Sequence, residues 1–434
     1  MNRLRPALLL SSLLLAGVAC APPANTGGDA GPDGPPPGAC ALKDDCGEGD
    51  GRPSRRSEAV GVWDPQGQRV ILFGGSDAVP QQCAFPTPNF LDETWAFEPR
   101  CGVWKQLTNP GPSPRGRHMM AYDPNGHRAL LFGGRYRSGG LGNYTNFNDL
   151  WQLDLESDTW SELSTTSPPT ARVNGSFVVN ADGTKAYLFG GNLSLNGSAY
   201  NPQNDLWELD LSTYTWTQLS PAGTPPSRRL FHAGLFDPVR NRVVVMGGGD
   251  ETAFFNDAVY FNDVWAYDVA SNAWLQLHDG SGQIHVDVPS RRFWGEWVYD
   301  DEDDAYLLFG GHDDQNLGNA NDLWAFDPSS DSWQLMRLGD TFNKPANGFC
   351  DFPPDFTNLD QEAPERRNAH VVVFASGGEC PGLITTMGKT DCGAADDVHR
   401  WSIGDGKWQE LSRAREGEMC LRTEPEFDCQ DMCF

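Results

Sequence analysis

Short apolar runs recur along this chain at a nearly constant spacing, and each leads into a pair of glycines. The interval between successive glycine pairs is 57 to 67 residues. No run has the periodicity of a helix, so each one predicts a buried β-strand. The runs are Val70 to Gly75, Leu130 to Gly134, Tyr187 to Gly191, Val243 to Gly248, Leu307 to Gly311 and, in a less regular last unit, Val371 to Gly378.

Three further signals keep the same order in every unit. A Pro and an Arg open the unit, a loop and an alternating strand follow the glycines, and a Trp and a Leu close it. Alternation of apolar and polar residues is typical of a half-buried strand. The alternating strands are Glu93 to Phe97, Asp149 to Leu153, Asp205 to Leu209, Asp263 to Tyr267, Asp322 to Phe326 and Asp397 to Trp401.

Each unit therefore predicts four short strands joined by turns, which form one antiparallel sheet. Such a sheet cannot bury both faces alone, whereas six sheets stacked around an axis can. The sequence predicts an all-β fold, a six-bladed β-propeller with four antiparallel strands per blade, over residues 53–411. Since each unit supplies all four strands, the ring can close without exchanging a strand between the termini.

The repeat resembles the Kelch repeat. The opening Arg, the double glycine and two tryptophans nine residues apart in five of the six units carry this resemblance. The last unit departs from it, because Ala375 and Ser376 interrupt the strand and Trp401 lies seven residues before Trp408. The resemblance implies a Kelch-type propeller whose first strands line a central channel.

Some Kelch-type propellers are enzymes, including galactose oxidase, whose propeller this chain resembles, and the sialic-acid mutarotases. The copper ligands of galactose oxidase cannot be placed in this sequence. The nitrile-specifier motif Glu-x-x-x-Asp-x-x-x-His has its nearest match at Glu296, Asp300 and Asp304, with Asp in place of His. No nucleophile elbow, phosphate loop or zinc pattern stands out. We therefore expect no metal and no cofactor, and the sequence favours binding over catalysis.

Residues 1–20 have the pattern of a secretory signal. Two arginines precede the apolar run Ala7 to Ala16, which is too short to span a bilayer. Cys20 stands where a bacterial lipoprotein carries its acylated cysteine, and the Gly/Pro/Asp-rich residues 21–52 are predicted to form a disordered tether. These features favour a lipid-anchored protein of the cell envelope.

Ordinary secretion is the alternative to lipidation. Gly17 stands where a lipoprotein box normally has Leu, and the sequence from Ala19 to Ala21 also permits cleavage after Ala21. Either route exports the protein.

Ten cysteines remain when Cys20 is set aside, an even number that favours disulfides in an exported chain. We expect local pairs between Cys83 and Cys101 and between Cys380 and Cys392. The other cysteines flank the propeller, including those of a Cys-rich tail at residues 412–434, and are predicted to clasp the first blade to the last. They include Cys40, Cys46, Cys420, Cys429 and Cys433.

The formal net charge of −27 narrows the range of partners. Such a charge repels polyanions, so we expect no nucleic acid partner. Contact with a membrane is expected only through the N-terminal anchor, and the protein is expected to be a monomer.

The second connection of each unit is long and varied, and in a four-stranded meander it shares one face with the links between blades. Binding residues concentrate on such loops. Aromatic rings there can stack on sugars or anchor a protein partner, although they can also pack the loops against the blades. The candidates are Tyr136, Tyr144, Phe147, Tyr200, Phe254, Phe255 and Tyr260.

The opening arginines give a second set of candidates, because three of them are followed by a His three residues later. Near the channel mouth such residues can hold an anion. Alternatively, each Arg bonds backbone carbonyls between blades. Among the tryptophans outside the repeat register, Trp294 or Trp297 can reach the channel. The channel-mouth candidates are Arg115, His118, Arg229, His232, Arg367 and His370.

The leading hypothesis is an exported Kelch-type scaffold that binds a protein or carbohydrate ligand through its long-loop face. One alternative is a secreted carbohydrate-active or oxidative enzyme with a site at the channel mouth. Another is a structural envelope protein.

Overall fold

A computed structural model describes residues 43, 46–78, 87 and 89–415 of the chain, apart from residues 141, 198, 255–256, 314–317, 344–356, 379 and 391–392. Cys20, the signal and tether up to residue 42, and the tail beyond residue 415 lie outside the described residues. In the part that is described there is no helix, so no helix is long and apolar enough to cross a membrane.

Six four-stranded antiparallel sheets make up the described fold, and each contains four strands in chain order. No strand is exchanged between the ends of the described chain, as the sequence predicts. The innermost, or first, strands of consecutive blades contact one another in a closed ring that includes the sixth and the first. The fold is the predicted six-bladed propeller.

The strand bounds are as follows. They are Val60–Asp64, Arg69–Phe73, Thr94–Glu98 and Val103–Leu107 in blade 1; Met119–Asp123, Arg128–Phe132, Leu150–Asp154 and Thr159–Leu163 in blade 2; Ser176–Val179, Lys185–Asn192, Pro202–Asp210 and Thr215–Leu219 in blade 3; Ala233–Asp237, Arg242–Met246, Val264–Asp268 and Ala273–His278 in blade 4; Glu296–Asp300, Ala305–Phe309, Leu323–Asp327 and Ser332–Arg337 in blade 5; and Val371–Ala375, Gly382–Thr386, Val398–Ser402 and Lys407–Ser412 in blade 6.

Short two-stranded ribbons decorate the connections on one face. They pair Arg135–Tyr136 with Thr145–Asn146, His312–Asp313 with Gly318–Asn319, and Thr341–Phe342 with Thr357–Asn358.

The hydrophobic core lies between neighbouring blades, and the repeat tryptophans belong to it. In four blades, the Phe directly before the glycine pair packs on the fourth-strand Trp of the next blade, with ring centroids about 5 Å apart. Aromatic contacts of this kind add to the burial of the rings. The pairs are Phe73 with Trp160, Phe132 with Trp216, Phe189 with Trp274, and Phe309 with Trp408.

Each opening arginine is buried inside its own blade. The Arg292 guanidinium donates to both carboxylate oxygens of Asp322 at 2.6 and 2.8 Å, and to the carbonyl of Gly310 at 2.9 Å. Blades 2, 3, 4 and 6 repeat the paired bonds with Asp149, Asp205, Asp263 and Asp397, although the carbonyl in blade 6 is that of Met387. In blade 1, Arg56 bonds one carboxylate oxygen of Glu93. The side chain therefore joins the first three strands of one blade.

The main chain of the same arginine makes the link between blades. Its carbonyl accepts a hydrogen bond of 2.9 to 3.1 Å from the second glycine of the preceding blade, and the bond from Gly388 to Arg56 closes the ring. Backbone bonding between blades was predicted for the arginine side chain. The structure gives that role to the arginine's own carbonyl instead.

Blade 6 corrects the predicted register. Val371–Ala375 is its first strand and pairs with Gly382–Thr386, so Gly377 and Gly378 lie in the first turn and not at the end of the second strand. Met387 and Gly388 take the place of the glycine pair, both with positive φ. The apolar run followed by two glycines misled the prediction, because here the glycines follow the first strand.

The described disulfides also correct the cysteine pairing that was predicted from the sequence. Cys46 bonds to Cys101, so Cys101 is not paired with Cys83 and Cys46 does not clasp the tail. The bond ties the N-terminal segment to the outer turn of blade 1. Cys380 is disulfide-bonded too, and its predicted pairing with Cys392 remains a prediction because Cys392, like Cys83, lies outside the described residues.

Arg415 and Arg55 join the first blade to the last, the role that the sequence predicted for disulfides. Arg415 donates to the carbonyls of Arg52 and Pro53 at 2.8 and 2.7 Å, and pairs with the fully buried Asp396 at 3.2 Å. Arg55 lies on the other side of Asp396 at 3.6 Å. Blades 1 and 6 are thus joined without any disulfide among the described residues.

We expect Arg292→Ala to lower the free energy of unfolding by about 3 to 5 kcal/mol, because it leaves the Asp322 carboxylate buried without its partner. Urea denaturation measures the change. The matched control is Arg291→Ala, since Arg291 is exposed; equal losses in the two variants would contradict the role assigned to the ion pair.

Candidate functional site

The mouth of the central channel lies where the first strands begin. The second strands end on the same face, as the hydrogen bonds between their glycines and the opening arginines show. The long second connections and the links between blades therefore gather around this mouth.

Six residues form a ring at the mouth, each two positions after an opening arginine. All six have positive φ, between 46° and 61°. Bulky residues seldom adopt this conformation, which is found in turns and also clusters at active sites and ligand clamps. The ring residues are Glu58, Arg117, Asn174, Phe231, Trp294 and Ala369.

Backbone hydrogen bonds run around the ring from blade to blade. Arg117 N–H donates to the Glu58 carbonyl at 3.0 Å, and Trp294 N–H donates to the Phe231 carbonyl at 2.9 Å. Five such bonds connect successive ring residues, so the left-handed conformation is held by the fold. The ring backbone is regular, while the side chain differs in every blade.

A cavity of about 130 Å³ lies at the ring and continues into the channel. All six ring residues line it. Below them, its wall is formed by the first strands, with apolar, imidazole and carboxyl groups. These lining residues include His118, Met119, Met120, Phe177, His232, Glu296 and His370.

One side of the mouth holds a charged cluster. Glu58 pairs with Arg117 at 2.6 Å and with Arg135 at 3.5 Å. Burial alone would raise the pKa of Glu58, but the two guanidinium groups lower it to about 2. Burial, together with the charge of Arg117, lowers the pKa of Arg135 to about 10. The cluster carries two positive charges and one negative charge at neutral pH.

Aromatic rings surround these charges. The Arg117 guanidinium lies 4.9 Å from the ring centroid of Trp294 and 5.4 Å from that of Phe231. Tyr144 is contacted by Arg135 at 3.9 Å and by Arg137 at 4.2 Å. Cation–π contacts of this kind stabilise both partners where water is excluded.

The predicted loop aromatics lie close to this mouth. Tyr144 and Tyr260 are buried, Tyr200 and Phe254 are partly buried in one aromatic cluster, and Phe255 lies outside the described residues. Two others lie apart from that cluster. Tyr136 is partly exposed beside Phe90, and Phe147 lies under the guanidinium of Arg115 at 4.1 Å.

The predicted channel-mouth residues divide into two groups. The side chains of Arg115, Arg229 and Arg367 are bound in the buried ion pairs of their own blades, and none of them lines the cavity. The three histidines do line it.

His118, His232 and His370 are buried in the cavity wall. Each lies edge-on to the Phe directly before the glycine pair of the preceding blade, at 5.3 to 5.6 Å. Burial and the neighbouring arginine lower the pKa of each to about 3. At neutral pH these imidazoles are therefore uncharged.

Glu296 is the acidic group inside the channel. It lies two residues after Trp294, and it accepts no hydrogen bond from any described residue. Its side chain is partly exposed and lines the channel cavity. Desolvation raises its pKa to about 8. A carboxyl without a partner in a cavity is a candidate functional group.

The sequence pointed to this mouth, and three of its candidates, His118, His232 and His370, line the cavity. It named Trp294, which lines the cavity, and Trp297, which packs in the core instead. The remaining ring residues were missed. Their signal was the position two after each opening arginine, where the repeat has no common residue. The nitrile-specifier match is not a described metal site, since no described group of His, Cys, Asp and Glu can hold a metal ion.

We expect Glu296→Gln to change how stability depends on pH. The carboxyl has a pKa of about 8 when folded and about 4.5 when unfolded. The contribution of Glu296 to the free energy of unfolding should therefore fall between those values as pH rises, by up to roughly 1.4 kcal/mol per pH unit.

The variant removes this slope, so it should gain stability relative to wild type between pH 5 and pH 8 in urea denaturation. The matched control is Glu302→Gln, because Glu302 is exposed in the first turn of blade 5. Parallel pH profiles for wild type and Glu296→Gln would contradict the assignment.

Comparison with known proteins is consistent with this architecture. Residues 47–248 and 139–350 match the family described as the KLHDC2/KLHL20/DRC7 Kelch-repeats domain. Kelch domain-containing protein 10 is 26% identical over 287 residues in Rattus norvegicus, covering 65% of each chain, and 31% identical over 288 residues in Xenopus tropicalis, covering 65% of this chain and 64% of that protein.

The chain thus spans about two thirds of the length of these relatives. The solved structure of YjhT aligns with a TM-score of 0.58 at 15% identity, over 83% of this chain and 99% of that one, and it supports the fold alone. With the repeats, the blade geometry and the family match in agreement, this chain belongs to the family of Kelch-repeat β-propellers.

Proposed function

We propose that this protein is an exported binding scaffold that takes a protein partner at the channel mouth of its long-loop face. The observation that carries the proposal is the ring of six residues. Their backbone conformation is the same in all blades, whereas their side chains are all different. The framework is thus the same in every blade, and the side chains that differ are partly exposed at Glu58, Arg117 and Trp294 but buried at Asn174, Phe231 and Ala369.

The chemistry of the mouth suits a protein partner. Trp and Arg are the residues that most often dominate binding energy at interfaces. Trp294 and Arg117 lie together at the centre of this face, and the loop aromatics surround them. Kelch propellers generally mediate protein interactions, which supports the same reading.

A carbohydrate would use the same aromatic faces. Sugars stack on Trp and Tyr rings, and Asn174 adds an amide that can fix their orientation. The binding experiment below therefore includes a glycan array, and a glycan ligand without a protein partner would replace the proposal.

We expect Trp294→Ala to weaken partner binding about 30-fold, which corresponds to about 2 kcal/mol for the loss of a central anchor. The test is affinity capture from an envelope lysate with the chain from residue 40, followed by titration of the captured protein. Val239→Ala is the control, because Val239 is exposed in a first turn on the opposite face.

Trp294→Phe separates binding from folding, since it keeps an aromatic ring beside Phe231 and Arg117. It should retain most of the affinity. Equal affinity of wild type and Trp294→Ala would remove the ring from the binding surface.

We propose further that the scaffold is held on the cell envelope by a lipid on Cys20. The support is in the sequence: a short apolar signal, a small residue before the cysteine, and a Gly/Pro/Asp-rich tether long enough to hold the propeller away from a bilayer.

We expect the mature chain made in a bacterial host to begin at acylated Cys20, which mass spectrometry of the N-terminal peptide detects. Cys20→Ser should abolish the acyl mass and release the protein from the membrane fraction. A wild-type product that begins at Pro22 without acyl groups would instead establish ordinary secretion.

A further inference from the structure

An extended segment of the chain covers the outer, or fourth, strand of blades 3 and 4. In blade 3, Thr166 N–H donates to the Tyr214 carbonyl and Trp216 N–H donates to the Thr166 carbonyl, both at 2.9 Å. Ala222 makes the same pair of bonds in blade 4, and both covering segments run parallel to the strand. Each covering residue lies six positions after the fourth-strand Trp of the preceding blade.

Blades 1 and 2 have a reduced form of this cover. Asp50 N–H donates to the Trp104 carbonyl at 3.0 Å. In blade 2 the covering position holds Pro110, which has no N–H, and the Asn109 side chain donates to the Asp158 carbonyl at 2.8 Å. The fourth-strand tryptophans of the four covered blades are at most 9% exposed; they are Trp104, Trp160, Trp216 and Trp274.

Blades 5 and 6 have no covering segment among the described residues. The covering position holds a glycine before each of these blades, Gly280 and Gly339, and both glycines have positive φ. Gly280 N–H donates to His278 Nδ1 at 2.9 Å, and the Gly280 carbonyl accepts from Asn262 Nδ2 at 3.1 Å. These bonds hold the link near the long-loop face, away from the outer strand of blade 5.

The outer strand of blade 5, Ser332–Arg337, therefore has an open edge. Trp333 has the same register as Trp216, so its N–H and the Asp331 carbonyl point outward, and no described residue bonds to them. Trp333 is also only partly buried, unlike its equivalents in the covered blades. An unpaired strand edge can pair with a strand from another chain.

Apolar side chains surround this edge. Met336, Leu338, Ile284 and Val286 are between 39% and 56% exposed, and they are half of the eight large hydrophobic side chains exposed in the described part of the chain. Leu338 and His285 line one small cavity, so the loop that carries Ile284 and Val286 lies beside the outer strand. None of the eight is in blade 6. Apolar groups gathered in this way mark an interaction surface, and they favour blade 5 over blade 6.

The charges beside the edge are mainly acidic. Asp331 precedes the strand, Asp287 lies in the neighbouring loop, and Glu362 is 76% exposed beside Arg337. Arg337 is the basic residue of the strand, and both oxygens of Asp360 bind it at 2.6 Å. A basic segment is therefore attracted to this edge, whereas a second copy of the chain, with its net charge of −27, is repelled.

We propose that the outer edge of blade 5 binds an extended segment of a partner protein, which adds a fifth strand to the blade. Apolar side chains of the segment pack on Met336 and Leu338, and its basic residues face Asp331 and Glu362. The covering segments of blades 3 and 4 show the main-chain bonding that the outer strands accept. This surface is on the outer wall of the ring, so it does not depend on the function proposed for the channel mouth.

The probe is the synthetic peptide acetyl-Lys-Val-Thr-Val-Thr-Val-Lys-amide, titrated into the chain from residue 40. We expect saturable binding, with amide hydrogen exchange over residues 331–337 slowed at least tenfold at saturation, because outward N–H groups become bonded. A peptide with Glu in place of both Lys should bind at least tenfold more weakly. A peptide with Pro in place of the central Val should lose as much, since Pro removes a main-chain donor.

Met336→Lys should weaken the Lys peptide at least tenfold, because it removes an apolar contact and adds a like charge. The matched control is Leu275→Lys, since Leu275 is 48% exposed on the outer strand of the covered blade 4, and it should bind as wild type does. The proposal is overturned if the Lys peptide does not bind, if the Lys and Glu peptides bind equally, if the slowed exchange lies elsewhere, or if Met336→Lys keeps wild-type affinity. None of these results bears on the test of Trp294 at the channel mouth.

Discussion

The ion pair between each opening arginine and the acid beside the start of the third strand is the interaction on which this structure depends. The guanidinium holds the carboxylate and the glycine carbonyl at the end of the second strand, as Arg292 does with Asp322 and Gly310. Burying two charges is costly, and only a geometry that satisfies the fork of donors offsets that cost. The same residue's carbonyl then receives the hydrogen bond from the neighbouring blade. The opening arginine therefore holds its own blade together through its side chain and links that blade to its neighbour through its carbonyl.

The candidate site follows from that constraint. Once the arginine is fixed, the chain turns into a left-handed residue two positions later and presents that side chain at the channel. The ring residues are tied to one another by backbone bonds, so their side chains can differ without disturbing the framework. This explains how Glu58, Arg117, Phe231 and Trp294 can occupy equivalent positions. The positive φ of each ring residue is held by the backbone bonds around the ring.

The charges at the mouth and in the channel are balanced differently. Glu58 is stabilised by two arginines and stays ionised, whereas Glu296 has no such partner and is held largely neutral at pH 7. The histidines between them are neutral because burial and the nearby arginines disfavour a further positive charge. A chain with a net charge of −27 thus contains a positively charged mouth above a protonated acid. This contrast gives the channel a polarity that the surface charge does not reveal.

The sequence by itself determined the number of blades, the four-strand meander and the face that carries the long loops, because alternation, glycine pairs and turn residues are local signals. It did not determine the register of blade 6, where Met387 replaces a glycine and a turn imitates the repeat signal, or the partner of Cys101. It also named the opening arginines as site candidates, since recurrence in sequence cannot distinguish a framework ion pair from a ligand contact. Only the closed ring decided which side chains meet at the channel, because Arg117 belongs to blade 2 whereas Trp294 and Glu296 belong to blade 5, and the packing of all six blades brings them together.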